Sequence, residues 1–155
     1  MRALVVDPGK MTGFGFLEWE PEERGMGSTF DGWERSHFDF LTWAEPVIAM
    51  VDVVVCEGYK VTGRTVKEDP SSVDGLWSVK QIGALELWCH QTSTRFVQQM
   101  PSDKAFGDND KLKAIGWWPP NEKGERGHRR DAARHAIVWG VRNNVIDPRR
   151  LLSAG

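Results

Sequence analysis

Arg2-Ala3-Leu4-Val5-Val6-Asp7-Pro8-Gly9 is a short apolar run that ends on a carboxylate and then on a turn. An uninterrupted Leu4-Val5-Val6 predicts a strand buried on both faces, in the middle of a parallel or mixed sheet. Pro8-Gly9 stops it at once and leaves Asp7 where the sheet meets solvent. A charge in that position costs free energy unless something compensates it. A metal ion, or a phosphate held through a metal, is one compensation. Asp-Pro-Gly is also good turn chemistry in its own right, with Asp7 as the opener. Both readings of Asp7 stand on this stretch alone.

Val51-Asp-Val-Val-Val-Cys-Glu57-Gly58 repeats the pattern: a β-branched run, a carboxylate, a glycine. Between the two runs, Phe38, Leu41, Ala44, Val47 and Ile48 have helical spacing over 37–50, with Pro46 expected to kink or break the helix. A helix between two such strands implies a right-handed crossover, hence a second strand parallel to the first and beside it. Asp7 and Glu57 would then project from one edge of the sheet, near enough to share a cation. Thr12 to Trp19 reads as a strand paired back on the first, and residues 25–30 as a short third strand. Gly13 and Gly15 fall on one face of the second strand, leaving that face clear for close approach of another backbone. Further on, Val73, Leu76, Trp77, Lys80, Ala84 and Trp88 predict a long helix. Gly83 inside it marks either close packing on the sheet or a tolerated weak spot. Residues 95–99 follow as a strand, 110–115 as a short helix and 128–142 as a final helix.

The 155 residues suit one domain spanning 1–155, with enough chain for a full core. There is neither an apolar run of membrane-spanning length nor a basic-then-apolar leader. Cys56 and Cys89 lie in apolar contexts and read as reduced thiols of a cytoplasmic protein. Charge is divided unevenly: residues 1–94 carry 8 Lys+Arg against 15 Asp+Glu, and residues 95–155 carry 12 against 7. A basic surface built by the C-terminal third suits a nucleic-acid partner.

His128, Asp131 and His135 stand at i, i+3 and i+7 and share one face of the last helix. That face is either a metal-binding or catalytic one, or the solvent side of a polar helix. Taken with Asp7 and Glu57, it completes four metal-competent groups, Asp7, Glu57, Asp131 and His128. Their oxygen-rich composition suits Mg²⁺ or Mn²⁺ better than zinc.

At this point the sequence resembles the RuvC-type Holliday-junction resolvases of the RNase H-like superfamily, especially shorter phage-encoded members. The matching stretches are Val5-Val6-Asp7-Pro8-Gly9 with Thr12-Gly13-Phe14-Gly15, then Val54-Val55-Cys56-Glu57, Gln81-Ile82-Gly83-Ala84 and His128-Arg-Arg-Asp131-Ala132-Ala133, in family order across most of the chain. The resemblance implies an α/β fold, a mixed five-stranded RNase H-like sheet flanked by helices. It implies a catalytic site of Asp7, Glu57 and Asp131, with His128 where many members carry Asp, as a metal ligand or as a proton-transferring or phosphate-contacting group. Met100-Pro101 and Gly107-x-x-x-Lys111 resemble the segment that supplies a lysine near the scissile phosphate, which makes Lys104 and Lys111 candidates. Tyr59 matches an aromatic that stacks on a base near the crossover, or is an ordinary half-exposed tyrosine.

The implied activity is hydrolysis of four-way junctions with two Mg²⁺ (or Mn²⁺) per site, leaving 5′-phosphate and 3′-hydroxyl ends. Phosphate contacts are expected from Lys60, Arg64, Lys67, Lys104, Lys111, Arg126, Arg129 and Arg130, with DNA shape as the basis of selection. Two symmetric nicks call for a homodimer, with the helix at 73–88 as candidate interface. Trp77 is expected to lie in the intramolecular core instead. The alternatives are a nuclease of broader taste for forks, flaps and Y-junctions, an RNA-processing relative of the same fold, and a non-catalytic junction-binding protein.

Overall fold

Ala3, Leu4, Val5 and Val6 are all fully buried, because the strand they form is the central one of five. The computed structural model describes residues 1–22, 27–59, 73–118 and 127–152. In chain order the elements are β1 (Arg2–Asp7), β2 (Met11–Glu18), β3 (Thr29–Ser36), α1 (His37–Ile48), β4 (Val53–Glu57), α2 (Val73–Thr92), β5 (Arg95–Gln99), α3 (Asn109–Ala114) and α4 (His128–Arg142). The sheet order is β3-β2-β1-β4-β5. β1, β4 and β5 run parallel, while β2 and β3 form an antiparallel meander on the β1 side. The expected crossover from β1 through α1 to a neighbouring parallel strand is therefore present.

The two-residue period of the strands separates two cores. Leu4, Val6, Val54 and Cys56 pack with Phe40, Ala44 and Ile48 of α1 and Leu85 and Cys89 of α2. Ala3, Val5, Val53 and Val55 face the other way, onto Ala133, Ala136 and Ile137 of α4. Burying one such Val or Ile side chain contributes about 1.5–3 kcal/mol. Continuing that second stripe by two residues along each strand reaches Asp7 and Glu57. β1 meets β4 with Ala3 on Val53 through Val6 on Cys56, so these two acids are the next pair along. In β5, Gln99 sits beside Glu57. Three polar residues thus end three neighbouring strands, all on the face that α4 covers.

Two local expectations are corrected, on the third strand and on Pro46. The third strand occupies Thr29–Ser36, later and longer than the expected 25–30. It is an edge strand with mostly exposed side chains, and so lacks the apolar alternation that would mark it. α1 runs through Pro46 and ends two residues later at Ile48, so the proline, which costs the helix its own bond to Thr42 O, falls in the last turn rather than dividing the helix. A Cβ on Gly83 would meet nothing within 4 Å, so this glycine does not pack on the sheet. Cys56 and Cys89 are buried free thiols. Trp77 stacks intramolecularly, 4.5 Å from the His37 ring and 5.7 Å from Phe38. Among the described residues no helix is long and apolar enough to cross a membrane.

Candidate active site

Asp7 leaves β1 into a turn that α2 fastens down. Ser78 Oγ donates to Pro8 O at 2.8 Å, and Gly9 N donates to Gln81 Oε1 at 3.0 Å. Gln81 Nε2 donates in turn to Thr12 Oγ1 at 2.6 Å, and Thr12 Oγ1 to Gly9 O at 3.2 Å. Gln81 and Thr12 are fully buried, so the strand end is held by satisfied polar groups rather than left to solvent. Asp7 itself is only 6% exposed.

The approach of α4 depends on Gly13, which pairs with Asp7 across β1 and β2. A Cβ there would lie 1.9 Å from both C and O of His128 and 2.5 Å from Arg129 N. Only a residue without a side chain lets the first turn of α4 rest on β2. The clear face expected at Gly13 and Gly15 is therefore filled, by α4 at the first glycine and by the Phe30 ring at the second. With the helix so placed, His128 Nδ1 donates to Asp7 Oδ2 at 3.0 Å.

Lys104 arrives from the segment after β5. A Cβ on Gly107 would come within 2.7 Å of Arg134 O, so this segment lies directly on the backbone of α4. Lys104 Nζ donates to Asp131 Oδ2 at 2.8 Å and stands 3.2 Å from Glu57 Oε2. Arg134 Nη1 donates to the other oxygen of Asp131 at 2.9 Å and Arg134 Nη2 to Asn109 Oδ1 at 2.7 Å. The same oxygen of Glu57, Oε2, accepts from His135 Nε2 at 2.5 Å. Glu57 and Asp131, from β4 and α4, thus share one half-buried ammonium, whose charge also acts on Asp7 of β1.

The electrostatics follow. Burial pushes the Asp7 carboxyl above its ordinary range; the His128 bond and Lys104 oppose this, and the charges of Glu57 and Asp131 add to it. Burial acts the same way on Glu57, but the hydrogen bond from His135 and the positive charge of Lys104 outweigh it and hold that carboxyl low. Burial disfavours charge on Lys104; the Asp131 bond and the fields of all three acids prevail and raise its pKa. The bond to Asp7 raises His128 against the opposing effect of burial.

The side chains that could take a divalent cation are Asp7, Glu57 and Asp131, with His128 beside them. Among the described residues no three His, Cys, Asp or Glu side chains converge closely enough to hold a metal ion as they stand. The acids are instead paired with Lys104, Arg134 and the two histidines. The donor chemistry suits Mg²⁺ or Mn²⁺: carboxylate oxygens dominate, they sit on rigid elements, and a cation would offset the burial and the neighbouring negative charges that together raise Asp7.

Of the expected DNA contacts, Lys60, Arg64, Lys67 and Arg126 lie outside the described residues. Tyr59 is half-buried just beyond Glu57. Arg129 is partly exposed at the start of α4, and its backbone N donates to Glu34 Oε1 at 3.0 Å. Lys111 turns to Asp108, the N-cap of its own short helix, and lies 5.2 Å from the Phe106 ring centroid. Between the two candidate lysines, then, Lys104 is the one against the acids. Arg130 is corrected: it is 1% exposed, with its guanidinium 4.3 Å from the centroid of Trp118, so its side chain packs inward rather than toward a DNA surface. Gln81, Arg134 and His135 were given no role by sequence reasoning; Gln81 carried a signal as the first residue of the matching stretch at 81–84, and His135 by its place on the His128–Asp131 face.

The sequence matches no family model and no curated protein at a significant level. Solved structures do match. Thermus thermophilus RuvC aligns with a TM-score of 0.58 at 15% identity, over 92% of this chain and 96% of its own. The fold is that of RuvC. The same protein in complex with Holliday junction substrate gives a TM-score of 0.59 at 13% identity, with the same 92% and 96% coverage. The Fowlpox virus resolvase bound to Holliday junction DNA gives 0.44 at 13% identity, over 97% of this chain and 80% of its own. The mixed five-stranded, helix-flanked RuvC-like sheet expected from the sequence is therefore present.

Proposed function

We propose that this chain is a Mg²⁺-dependent endonuclease that resolves four-way DNA junctions, leaving 5′-phosphate and 3′-hydroxyl ends. The observation that carries the reading is that Asp7 and Glu57 end adjacent parallel strands, with Asp131 of α4 joined to Glu57 through Lys104 and close enough for its charge to act on Asp7. Packing alone gives no reason to bury like charges together, and a fold does not require it. The RuvC-like architecture supports the choice of substrate, since the RuvC structure above holds a Holliday junction.

Bound by Asp7, Glu57 and Asp131, two divalent cations would polarise the phosphodiester, activate water for in-line attack and stabilise the leaving 3′-oxygen. The rest falls to the chain itself. Asp7 offers a carboxylate largely screened from water, which strengthens its field at the phosphate. Arg134 fixes one oxygen of Asp131, leaving the second for exchange between Lys104 and the reacting centre. Lys104, once released from the acids, is placed to meet a non-bridging phosphate oxygen. His128 holds a proton on Nδ1 against Asp7 with about half of its side chain exposed, within reach of an arriving backbone. Tyr59 and Arg129 flank this site as candidate contacts, and the basic residues at 60, 64, 67 and 126 extend the set along the chain.

A homodimer would place two such sites for paired nicks. On α2, Leu76, Val79 and Leu87 are 55%, 47% and 54% exposed, on the side opposite Ser78, Gln81, Leu85 and Cys89, which face the sheet. Gly83 lies in that stripe with open space over it, where a second helix could approach closely. This is the apolar seam expected of a twofold helix pairing.

The test is a panel of four-way junction, fork, flap and linear duplex, incubated with the protein and Mg²⁺ and mapped at nucleotide resolution. Symmetric paired nicks on the junction are expected, with Asp7→Asn binding the junction but not cutting it. Equal cutting of forks and flaps would broaden the substrate class. A gel shift without nicks from the wild-type chain would make it a binding protein instead.

A further inference from the structure

Three candidates outside the acids stand out. The apolar seam on α2 belongs to the dimer already proposed. The open groove of Arg35, Asp39, Thr42 and Trp43 shows nothing aimed into it that would specify a ligand. The third is His135, whose ring is completely buried although it lies between two polar side chains.

His135 Nε2 lies 2.5 Å from Glu57 Oε2, and its Nδ1 lies 2.7 Å from the Gln99 carboxamide. Turned with its nitrogen toward the ring, that carboxamide donates to Nδ1 at 2.7 Å and to His135 O at 3.2 Å, while its oxygen faces Trp139 N at 3.2 Å. This orientation satisfies both ends of the amide, whereas the reverse sets oxygen against acceptors and nitrogen against a donor. An imidazole that accepts at Nδ1 carries its hydrogen on Nε2, so the ring donates to Glu57. Gln99 thereby sets the tautomer, and the tautomer sets the direction of the bond to Glu57. All three residues sit on packed elements, β5, α4 and β4.

Both polar side-chain contacts to Glu57, from His135 and from Lys104, fall on Oε2; among the described residues no hydrogen bond or ion pair falls on Oε1. A carboxylate held by one oxygen on a buried donor has its plane fixed and presents the other oxygen in one direction. We propose that His135, oriented by Gln99, is the positioning residue of this site: it clamps Glu57 Oε2 and so presents Oε1 to the divalent cation. Such outer partners of a metal-ligating side chain typically change affinity or activity about 10–100-fold when removed. The inference rests on the reading of Glu57 as a ligand made under Proposed function.

Two substitutions separate positioning from mere filling of space. In His135→Gln the side-chain amide reaches the place of Nε2 and keeps a donor on Glu57. In His135→Asn it reaches only the place of Nδ1, keeping the Gln99 contact and abandoning Glu57. Mn²⁺ binding to the full-length protein without DNA is measured by calorimetry, beside thermal melting and single-turnover cleavage. The expected result is Mn²⁺ affinity within about threefold of wild type for His135→Gln and about tenfold or more weaker for His135→Asn. Equal Mn²⁺ affinity in the two variants, whether wild-type or lost, overturns the proposal, because position of the donor would then not matter. Glu57→Gln serves as the reference: Mn²⁺ binding unchanged in that variant sinks the reading of Glu57 as a ligand instead. Should either histidine variant fail to fold, Gln99→Leu replaces it. There a several-fold loss of Mn²⁺ affinity is expected from the freed tautomer, and wild-type affinity refutes the role.

Discussion

Replacing Gly13 by alanine adds a single methyl group at the point where the first turn of α4 touches β2. The new Cβ would lie 1.9 Å from the backbone C and O of His128, against an ordinary separation of about 3.5 Å. The struck atoms are helix backbone, not the end of a flexible side chain, so α4 must move away by about 1.5 Å. Overpacking of this kind costs about 1–3 kcal/mol, and a rigid obstacle places it at the upper end. For a chain of 155 residues that corresponds to a fall in Tm of about 6–12 °C. The same movement stretches the His128–Asp7 bond from 3.0 Å to beyond hydrogen-bonding range and draws Asp131 from the strand-end acids. Gly13→Ala should therefore lose both stability and junction cleavage, the latter persisting at temperatures well below its Tm. Thermal melting and single-turnover cleavage at 20 °C read the two separately. A variant with wild-type Tm and wild-type cleavage refutes the view that this glycine seats the catalytic helix.

Other perturbations test other parts of the account. Lys104→Met leaves Glu57 and Asp131 without their shared cation; stability in chelator should fall by on the order of 1–3 kcal/mol, and added Mg²⁺ should restore more of it than in the wild type, as chemical denaturation with and without Mg²⁺ would show. His128 has a folded pKa raised above 6.5, so its bond to Asp7 contributes stability in full below pH 6.5 and loses it as pH rises through the raised value. In metal-free buffer the Tm gap between wild type and His128→Ala should accordingly be widest near pH 6 and shrink toward pH 9; a gap that grows with pH contradicts the assignment. Val79→Glu or Leu87→Glu should convert a dimer to a monomer by light scattering, and should uncouple the paired nicks while leaving single nicking intact. Arg130→Ala, which removes a packed side chain from beneath Trp118, should lower Tm without changing the salt dependence of DNA binding.

The parts of this fold that declared themselves are those in which local chemistry and tertiary role coincide. An apolar run ending on Asp7 and a second ending on Glu57 betray a buried parallel pair, because only the central strands of a sheet can be apolar without alternation. Gly13 announced a close backbone approach, though not that the approaching chain would be the first turn of α4. Residues 29–36 gave no such sign, since an edge strand with exposed Asp31, Glu34 and Arg35 looks like a polar connection. Lys104 was visible only as one of two lysines; what selects it is Gly107 lying on Arg134, a contact between distant segments. Arg130 and Arg129 look alike in sequence, yet one residue of helical phase, about 100°, sends the first under Trp118 and leaves the second near the surface. His135 could be placed on a face, but its partner Glu57 lies 78 positions away in another strand.

The central claim is that Asp7, Glu57 and Asp131 share one divalent-cation site, in which Lys104 now bridges Glu57 and Asp131. Anomalous diffraction from crystals of the protein soaked in Mn²⁺ tests it most directly. The account predicts manganese touching all three carboxylates, with the Lys104 ammonium displaced from between Glu57 and Asp131. Crystals saturated with Mn²⁺ that show no manganese at these acids, and Lys104 still bonded to both, would contradict it.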